Sequence, residues 1–222
     1  MSPILVIAPH ADDETLGCGG TLLRYRASGA EIHWLLVTQM SPELGYNNAQ
    51  MSQRQTEINQ VAAAYRFSSV HQLTFPTTRL DTVASGDLIG AISAVVAKIK
   101  PAMVLCPFRN DAHSDHQVVF DCVMAATKSF RAPFIKKVMC YETLSETDFG
   151  MKPEAPAFKP NVFIDITDQL AEKLNIMQIF KSELAEFPFP RSLKAIEALA
   201  SLRGSQANAH AAEAFLLLKE II

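Results

Sequence analysis

The amino-acid sequence predicts an α/β fold in which helices cover both faces of a mostly parallel sheet. Short apolar runs alternate with longer segments of helical periodicity over the first two thirds of the chain. Because a right-handed crossover between two parallel strands places its helix over the sheet, this alternation is typical of an open α/β sandwich. The chain has 222 residues, of which 49% are hydrophobic and 19% are charged. This size and balance predict a single domain that spans residues 1–222.

The predicted strands are short, continuous apolar runs of the kind that are buried on both faces of a parallel sheet. In chain order they are 4–8, 32–37, 70–73, 103–106, 138–141 and 162–166. The segments between them predict helices at 15–28, 51–65, 88–100 and 115–129. Apolar spacing near the end of the chain predicts two more helical segments, 167–180 and 209–218. The proline-rich stretch 144–160 predicts a surface loop.

Composition and charge exclude several classes of partner. The net charge is −3, and no long basic run marks a surface for nucleic acid or an anionic membrane. No stretch approaches the roughly 20 apolar residues that a membrane-spanning helix needs. The first residues lack the basic flank and the length of a signal peptide. The four cysteines are dispersed, without a Cys-x-x-Cys pair, which is typical of reduced thiols. We therefore expect a cytoplasmic protein that is not integral to a membrane.

The first polar constellation, Pro-His-Ala-Asp-Asp-Glu at 9–14, begins where the first predicted strand ends. Open α/β sheets bind ligands beyond the carboxyl ends of their strands. His10 and Asp13 offer the imidazole nitrogen and carboxylate oxygen that suit zinc, and their spacing lets both face one ion. Three adjacent acids at the end of a buried strand repel one another, and a cation would remove that cost. The alternative, that acids 12–14 only cap the next helix, is favoured for Glu14 alone.

The second constellation, Asp-Ala-His-Ser-Asp-His at 111–116, follows the predicted strand 103–106. We therefore expect it at the same carboxyl edge of the sheet, facing the first constellation. His113 and His116 are flanked by Asp111 and Asp115, and carboxylates in such positions fix the tautomer of an imidazole. One ligand from this segment would complete a His/Asp/His set with a fourth position open to water. That arrangement is typical of catalytic rather than structural zinc.

The other histidines and the glycine-rich segment 17–20 have simpler interpretations. His33 and His71 fall within predicted strands, which favours packed or edge positions, whereas His210 has no assignment. The glycines raise the alternative of a nucleotide-binding enzyme or methyltransferase. However, their spacing is not G-x-G-x-x-G, acids occupy the place of a pyrophosphate, and no ribose-binding acid follows the second strand. We therefore interpret the glycines as positions that let a helix pack closely against its neighbours.

These motifs resemble the PIG-L/LmbE family of zinc-dependent deacetylases, whose signature is an AHPDDE-type hexad and a later HxDH segment. Here they read PHADDE at 9–14 and HSDH at 113–116. Residues 54–57 are similar to the family's R-x-x-E, and 203–204 and 212–215 are similar to its RG and AEAF elements. The resemblance runs through most of the chain and implies a three-layer, Rossmann-like (LmbE-like) sandwich. The departure is Ala11 in place of the usual proline, which contributes stiffness but no ligand atom.

By matched position, the resemblance implies roles for seven residues. They are His10, Asp13 and His116 as metal ligands, Asp12 as general base, His113 as the group that stabilises the oxyanion or protonates the leaving amine, Arg54 as a contact to substrate hydroxyls, and Asp115 as support for the neighbouring imidazoles. The implied cofactor is Zn²⁺, and a site of this composition also binds other divalent ions. We expect a nearby carboxylate, that of Asp111 or Asp115, to favour the protonated form of His113.

These features predict a hydrolase that removes the acetyl or another acyl group from an N-acetylated amino sugar or sugar conjugate. Zinc would activate water, and Asp12 would take its proton as the water attacks the amide. Two alternatives stay open: a metal-dependent hydrolase of a non-sugar amide, and a noncatalytic metal-binding or interaction protein of the same fold. A base beside three ligands favours an enzyme. The expected partner is a small amino-sugar substrate, and the sequence is compatible with a homo-oligomer.

Overall fold

A computed structural model, which describes residues 2–222, confirms the α/β class. The strands within these residues are β1 (Ile4–Ala8), β2 (Ile32–Gln39), β3 (Ser69–Pro76), β4 (Met103–Pro107), β5 (Lys137–Tyr141), β6 (Val162–Asp165) and β7 (Ala212–Glu220). The α-helices are α1 (Asp13–Ala27), α2 (Asn48–Tyr65), α3 (Ser85–Ile99), α4 (Ser114–Ala126), α5 (Leu170–Met177) and α6 (Leu193–Ala207). The strands form one sheet in the order β3-β2-β1-β4-β5-β7-β6.

Helices cover both faces of this sheet. One apolar cluster joins α1, α2, α5 and α6 to the sheet, and the other joins α3 and α4 to the opposite face. Alternate residues of a strand supply the two faces, so that Val6 belongs to the first cluster and Ile7 to the second. Complete burial of such a side chain stabilises the fold by roughly 1.5–3 kcal/mol. The result is the predicted three-layer sandwich. In residues 2–222, the helices lack the combination of length and hydropathy required to span a bilayer.

The two polar constellations leave the sheet side by side. The chain passes outward from β1 to β2 and β3, and then returns to the other side of β1 with β4. Strands β1 and β4 pair in parallel, with Ile4 opposite Met103. Their carboxyl ends therefore lie next to each other at the point where the strand order reverses. Open α/β sheets bind ligands in the crevice at such a point.

Helix α1 is broken at Cys18, whose φ of −146° and ψ of 18° are not helical. Beyond the break, the backbone N–H groups of Gly20 and Thr21 donate to the two carboxylate oxygens of Glu213 on β7, at 2.9 and 2.7 Å. The ammonium of Lys173 also donates to Glu213, at 2.7 Å. Both members of this ion pair are almost completely buried. Glu213 therefore caps the second half of α1 from a distant strand.

The glycine-rich segment 17–20 allows α1 to approach its neighbours closely. A Cβ atom at Gly17 would lie 2.2 Å from the ring of Tyr141, and one at Gly20 would lie 2.7 Å from Ile166. Neither distance is compatible with a side chain larger than hydrogen unless the neighbour moves. These contacts agree with the interpretation that the glycines allow close packing, and they leave no space for a dinucleotide beside them.

The prediction of a helix at 209–218 is wrong, because Ala212–Glu220 form strand β7 instead. β7 runs antiparallel between β5 and β6, with Phe215 opposite both Tyr141 and Val162. A short apolar run is compatible with a helix or a buried strand when only its own spacing is considered. Here, the segment forms a strand because its backbone hydrogen-bonds to β5 on one side and to β6 on the other. The helix of this region is α6, which precedes β7.

Glu213→Ala should lower the free energy of unfolding by about 3–5 kcal/mol, because it leaves the Lys173 ammonium buried without its partner. The midpoint and slope of urea unfolding measure this change. Glu220→Ala is the matched control, since Glu220 pairs with Lys137 at a partly exposed position of the same strand and such pairs contribute little. Equal midpoints for the two variants would contradict a stabilising role for the buried pair.

Candidate active site

A cavity of about 250 Å³ opens at the carboxyl ends of the parallel strands, where the loops after β1 and β4 meet. Six of the seven residues to which the sequence assigned roles line this cavity: His10, Asp12, Asp13, Arg54, His113 and His116. The seventh, Asp115, is buried and accepts a hydrogen bond from His10 Nε2 at 3.0 Å. The fold therefore brings all seven into one region.

Three side chains offer donor atoms to a single point in this cavity. His10, Asp13 and His116 present one atom each within 4.8 Å of one another. His10 Nδ1 lies 3.4 Å from one oxygen of Asp13, and His116 Nε2 lies 3.3 Å from the other. The buried His116 Nε2 has no hydrogen-bond partner among the described residues, which is unfavourable for a polar atom. A divalent cation held by two imidazoles and a carboxylate would satisfy this atom, so the donor set fits zinc.

Two buried aspartates orient the imidazoles of this set. Asp111 bonds to His116 Nδ1 at 2.7 Å and accepts the hydroxyl of Thr147 at 2.7 Å. Asp115 bonds to His10 Nε2 at 3.0 Å. Each imidazole therefore uses one ring nitrogen for a carboxylate and keeps the other for the point shared with Asp13. A carboxylate in this position fixes the histidine tautomer and strengthens the imidazole as a ligand.

His10, His113 and Asp115 form a second group whose polar atoms also lie within 4.8 Å of one another. The Asp115 carboxylate already accepts the backbone N–H groups of Thr78 at 2.7 Å and Leu80 at 3.0 Å, besides its bond to His10. His113 Nδ1 accepts the backbone N–H of Asp115 at 3.1 Å. Because His10 Nε2 and the Asp115 carboxylate already bond to each other, we interpret this group as support for the first.

The carboxylates make the site attractive to positive charge. Burial by itself lowers the pKa of His10, but hydrogen bonds to Asp115 and Asp13 raise it to about 9. Burial by itself raises the pKa of Asp13, yet the attraction of His116 and the hydrogen bond with His10 hold it well below its usual range. The local field thus favours a cation at the point that the three donors share.

Asp12 adopts a backbone conformation that is rare for residues other than glycine, with φ 153° and ψ −26°. Its N–H donates to the buried carboxyl of Glu14 at 3.2 Å. Although Asp12 is the N-cap residue of α1, its side chain accepts no capping bond from the described helix and instead lines the cavity. Burial and the charges of Asp13 and Glu183 raise its pKa well above the usual range. Helix capping therefore does not account for Asp12, and backbone strain of this kind often marks functional positions.

The expectation that the charge of Asp111 or Asp115 favours the protonated form of His113 does not fit the geometry. The carboxylate of Asp111 bonds to His116, and that of Asp115 bonds to His10. Burial and the positive charge of His10 lower the pKa of His113 to about 4, although the charge of Asp115 opposes this shift. His113 is therefore neutral near pH 7. Since its Nδ1 accepts a backbone N–H, the ring proton lies on Nε2.

Arg54 lines the cavity, but two of its three guanidinium nitrogens donate hydrogen bonds within the protein, and the buried Nε has no hydrogen-bond partner in the described residues. Nη1 donates to the carbonyl of Ala11 at 2.6 Å, and Nη2 donates to Ser182 at 3.0 Å and to Glu183. Nε lies 3.4 Å from a carboxylate oxygen of Glu57. These contacts tie α2 to the loop that carries His10 and Asp13. A contact between Arg54 and substrate hydroxyls stays a prediction.

The structure adds site residues to which the sequence assigned no role. Glu183 and Arg191 line the cavity from the segment between α5 and α6, and no motif or periodicity in that segment marks them. For Asp111 the sequence indicated a carboxylate able to fix the tautomer of a neighbouring imidazole, and the structure identifies His116 as its partner. Asp111 precedes His116 by five residues, and His116 lies in the first turn of α4. This spacing is a signal that could have indicated the bond between them.

The fold and the donor set define the class of this protein as an α/β sandwich with a candidate two-histidine, one-carboxylate metal site at the switch in strand order. The family model PIG-L, described as GlcNAc-PI de-N-acetylase, matches residues 5–127. This match covers more than half of the chain and includes both polar constellations. The protein therefore belongs to the PIG-L family, and the resemblance drawn from its motifs is confirmed.

Similar proteins include a curated deacetylase and solved structures of the same fold. The chain is 27% identical over 199 residues to the diacetylchitobiose deacetylase of Thermococcus kodakarensis, covering 82% of this chain and 70% of that protein. The conserved protein TT1542 from Thermus thermophilus has a TM-score of 0.80 and 23% identity, covering 100% of this chain and 97% of the other. GalB, the 4-carboxy-2-hydroxymuconate hydratase of Pseudomonas putida, has a TM-score of 0.74 and 18% identity, covering 100% and 98%. Because a hydratase shares the fold, the fold alone does not specify the reaction.

Asp111→Asn should weaken zinc binding about 10- to 100-fold, because the amide no longer provides a negative charge that fixes the His116 ring. Equilibrium dialysis of the metal-free protein against zinc measures the affinity. Asp121→Asn is the matched control, since Asp121 lies on α4, the helix that carries His116, and pairs with Arg109 at a largely exposed position. Unchanged zinc affinity in Asp111→Asn would show that the bond to His116 does not organise the site.

Proposed function

We propose that this protein is a zinc-dependent N-deacetylase that hydrolyses the acetamide group of an N-acetylated amino sugar or sugar conjugate. The observation that carries the proposal is Asp12, a strained, cavity-lining carboxylate directly beside the three donors His10, Asp13 and His116. A protein that only binds a metal has no need of such a base. Membership of the PIG-L family and the likeness to a diacetylchitobiose deacetylase support the substrate class.

His10, Asp13 and His116 would hold the ion, and Asp111 and Asp115 would keep the two imidazoles oriented toward it. When bound, zinc supplies Lewis acidity, which lowers the pKa of water toward about 7 and polarises an amide carbonyl. The unpartnered Nε2 of His116 and the field that raises the pKa of His10 both support a divalent cation at this point.

Asp12 would act first as general base and then as general acid. Its carboxylate accepts a proton from the attacking water while the water oxygen bonds to the amide carbon. When the carbon–nitrogen bond breaks, the carboxyl group returns that proton to the nitrogen, and the products are acetate and the free amine. Burial, with the charges of Asp13 and Glu183, raises the pKa of Asp12, so its carboxylate is a stronger base than an exposed one.

His113 would stabilise the oxyanion that forms when water attacks the amide carbon. The neutral ring carries its proton on Nε2 because Nδ1 accepts the backbone N–H of Asp115. The ring lines the cavity, with its centroid 4.4 Å from that of His10. A fixed donor of this kind acts without having to reorganise during the reaction, and its removal lowers kcat by about 10²- to 10³-fold.

Asp12→Asn should lower kcat for acetate release by about 10²- to 10⁴-fold while keeping stoichiometric zinc, because it removes the base but none of the three donors. His116→Ala should lose zinc and activity together. Metal content by atomic emission and single-substrate kinetics measure both properties, with Asp121→Asn as the control for an aspartate-to-asparagine change. Normal turnover in Asp12→Asn would remove Asp12 from the mechanism.

A panel of acetylated compounds tests the proposed activity and its substrate class. We expect the zinc-loaded protein to release acetate from N-acetylglucosamine and N,N′-diacetylchitobiose faster than from N-acetylputrescine or N-acetylated amino acids. A chelator should abolish release and added zinc should restore it, because the Lewis acid is required. Preference for the non-sugar amides, or release that a chelator does not affect, would contradict the proposal.

A further inference from the structure

Two arginines line the cavity, and both are directed to one carboxylate, that of Glu183. Arg54 Nη2 on α2 donates to Glu183 Oε1, and Arg191 Nη2 lies 3.5 Å from Glu183 Oε2. Arg191 also donates from Nε to the carbonyl of Glu183 at 3.1 Å and from Nη1 to the hydroxyl of Ser145 at 2.8 Å. All three guanidinium nitrogens of Arg191 therefore have partners within the protein. Arg54 donates from Nη1 and Nη2, and its buried Nε faces Glu57 at 3.4 Å without a hydrogen bond in the described residues.

Apart from the histidines, these two arginines are the basic residues that line the cavity in the part of the chain that the structure describes. The wall formed by the end of β2, the loop after it and α2 is uncharged apart from Arg54. It consists of the carboxamides and apolar side chains of Gln39, Met40, Tyr46, Met51 and Gln55. Glu146 adds a carboxylate to the opposite side and forms no ion pair with either arginine in the described residues. Within residues 2–222, the two arginines that line the cavity are thus both paired with Glu183, so an anionic ligand would have to compete with this carboxylate for their charge.

We infer that the substrate carries its amino sugar on an uncharged, hydroxyl-bearing group, and that Glu183 is the residue that sets this preference. The inference rests on the proposed deacetylase function of the same cavity. A carboxylate or phosphate on the carrier would lose its hydration and would meet arginines whose charge Glu183 already neutralises, which is unfavourable. Carboxamides and the tyrosine hydroxyl, in contrast, both donate and accept hydrogen bonds and therefore suit sugar or polyol hydroxyls.

Glu183 is well placed for this role because it neutralises both arginines at once. Replacing its carboxylate with an amide would leave Arg54 paired with Glu57 and would leave Arg191 without an acidic partner among the described residues. The freed guanidinium could then form a charge-assisted, bidentate contact with an anionic carrier. The preference for a neutral carrier is therefore a property of one side chain that can be changed without touching a candidate metal ligand.

The test compares two substrates that differ in charge but hardly in shape. They are the N-acetylglucosaminide of L-malate and the corresponding glycoside of L-malamide, in which both carboxylates are amides. We expect the zinc-loaded wild-type protein to deacetylate the malamide glycoside with a kcat/KM at least about tenfold higher, equivalent to the loss of one charge-assisted contact. An equal or higher kcat/KM for the malate glycoside would overturn the inference.

Glu183→Gln should raise the ratio of kcat/KM for the malate glycoside over the malamide glycoside by about tenfold relative to the wild type. Using the ratio cancels any change that the variant makes to the chemical step, including its effect on Asp12. Glu146→Gln is the matched control, because it removes one carboxylate from the same cavity but releases no arginine. A similar shift in both variants would show that net charge, and not the release of an arginine, sets the preference, and would overturn the role given to Glu183.

Calorimetric titration of the metal-free protein with the two glycosides separates this inference from the proposed function. Tighter binding of the malamide glycoside, with no acetate released from any compound by the zinc-loaded protein, would support the neutral cavity and contradict the deacetylase. Acetate release accompanied by tighter binding of the malate glycoside would support the deacetylase and contradict the neutral carrier.

Discussion

The site depends on the electrostatic compensation of three buried carboxylates. Asp13, Asp111 and Asp115 are each at most 3% exposed, and uncompensated charges at such positions would oppose folding. Backbone N–H groups of the loop after β3 and the imidazoles of His10 and His116 provide part of the compensation. The compensation requires the loops after β1 and β4 to meet, which the reversal of strand order between these strands makes possible.

The aspartates of the site have different partners and therefore different roles. The aspartates outside the donor set orient imidazoles, whereas Asp13 faces the point that both imidazoles share. Asp12, one position earlier, has a strained φ of 153° that turns its side chain away from helix capping and into the cavity. Adjacent aspartates in one hexad thus occupy different environments: the pKa of Asp12 is raised and that of Asp13 is lowered. Two titrating groups whose environments separate their pKa values in this way are suited to different chemical roles.

The ionic contacts around Arg54 connect the loop that carries His10 and Asp13 to the opposite wall of the cavity. Its guanidinium joins the carbonyl of Ala11 to Glu183, and Glu183 in turn holds Arg191. The same contacts therefore fix the position of the loop and remove positive charge from the cavity wall. Since proteins of this fold include enzymes with different reactions, such wall residues have more influence on specificity than the sheet that carries them.

The sequence by itself determined the features whose signals are local. Parallel strands appear as continuous apolar runs, and the candidate ligands His10 and His116 lie in short motifs directly after two of them. The tertiary structure decided every feature that depends on a distant partner. Residues 212–220 form a strand because β5 and β6 offer pairing edges, and Glu183 reaches Arg54 across 129 positions of sequence. The neutral state of His113 follows from burial and neighbouring charge. The spacing of residues along a segment reflects the geometry of that segment alone, and it does not specify which group from another element will pair with it.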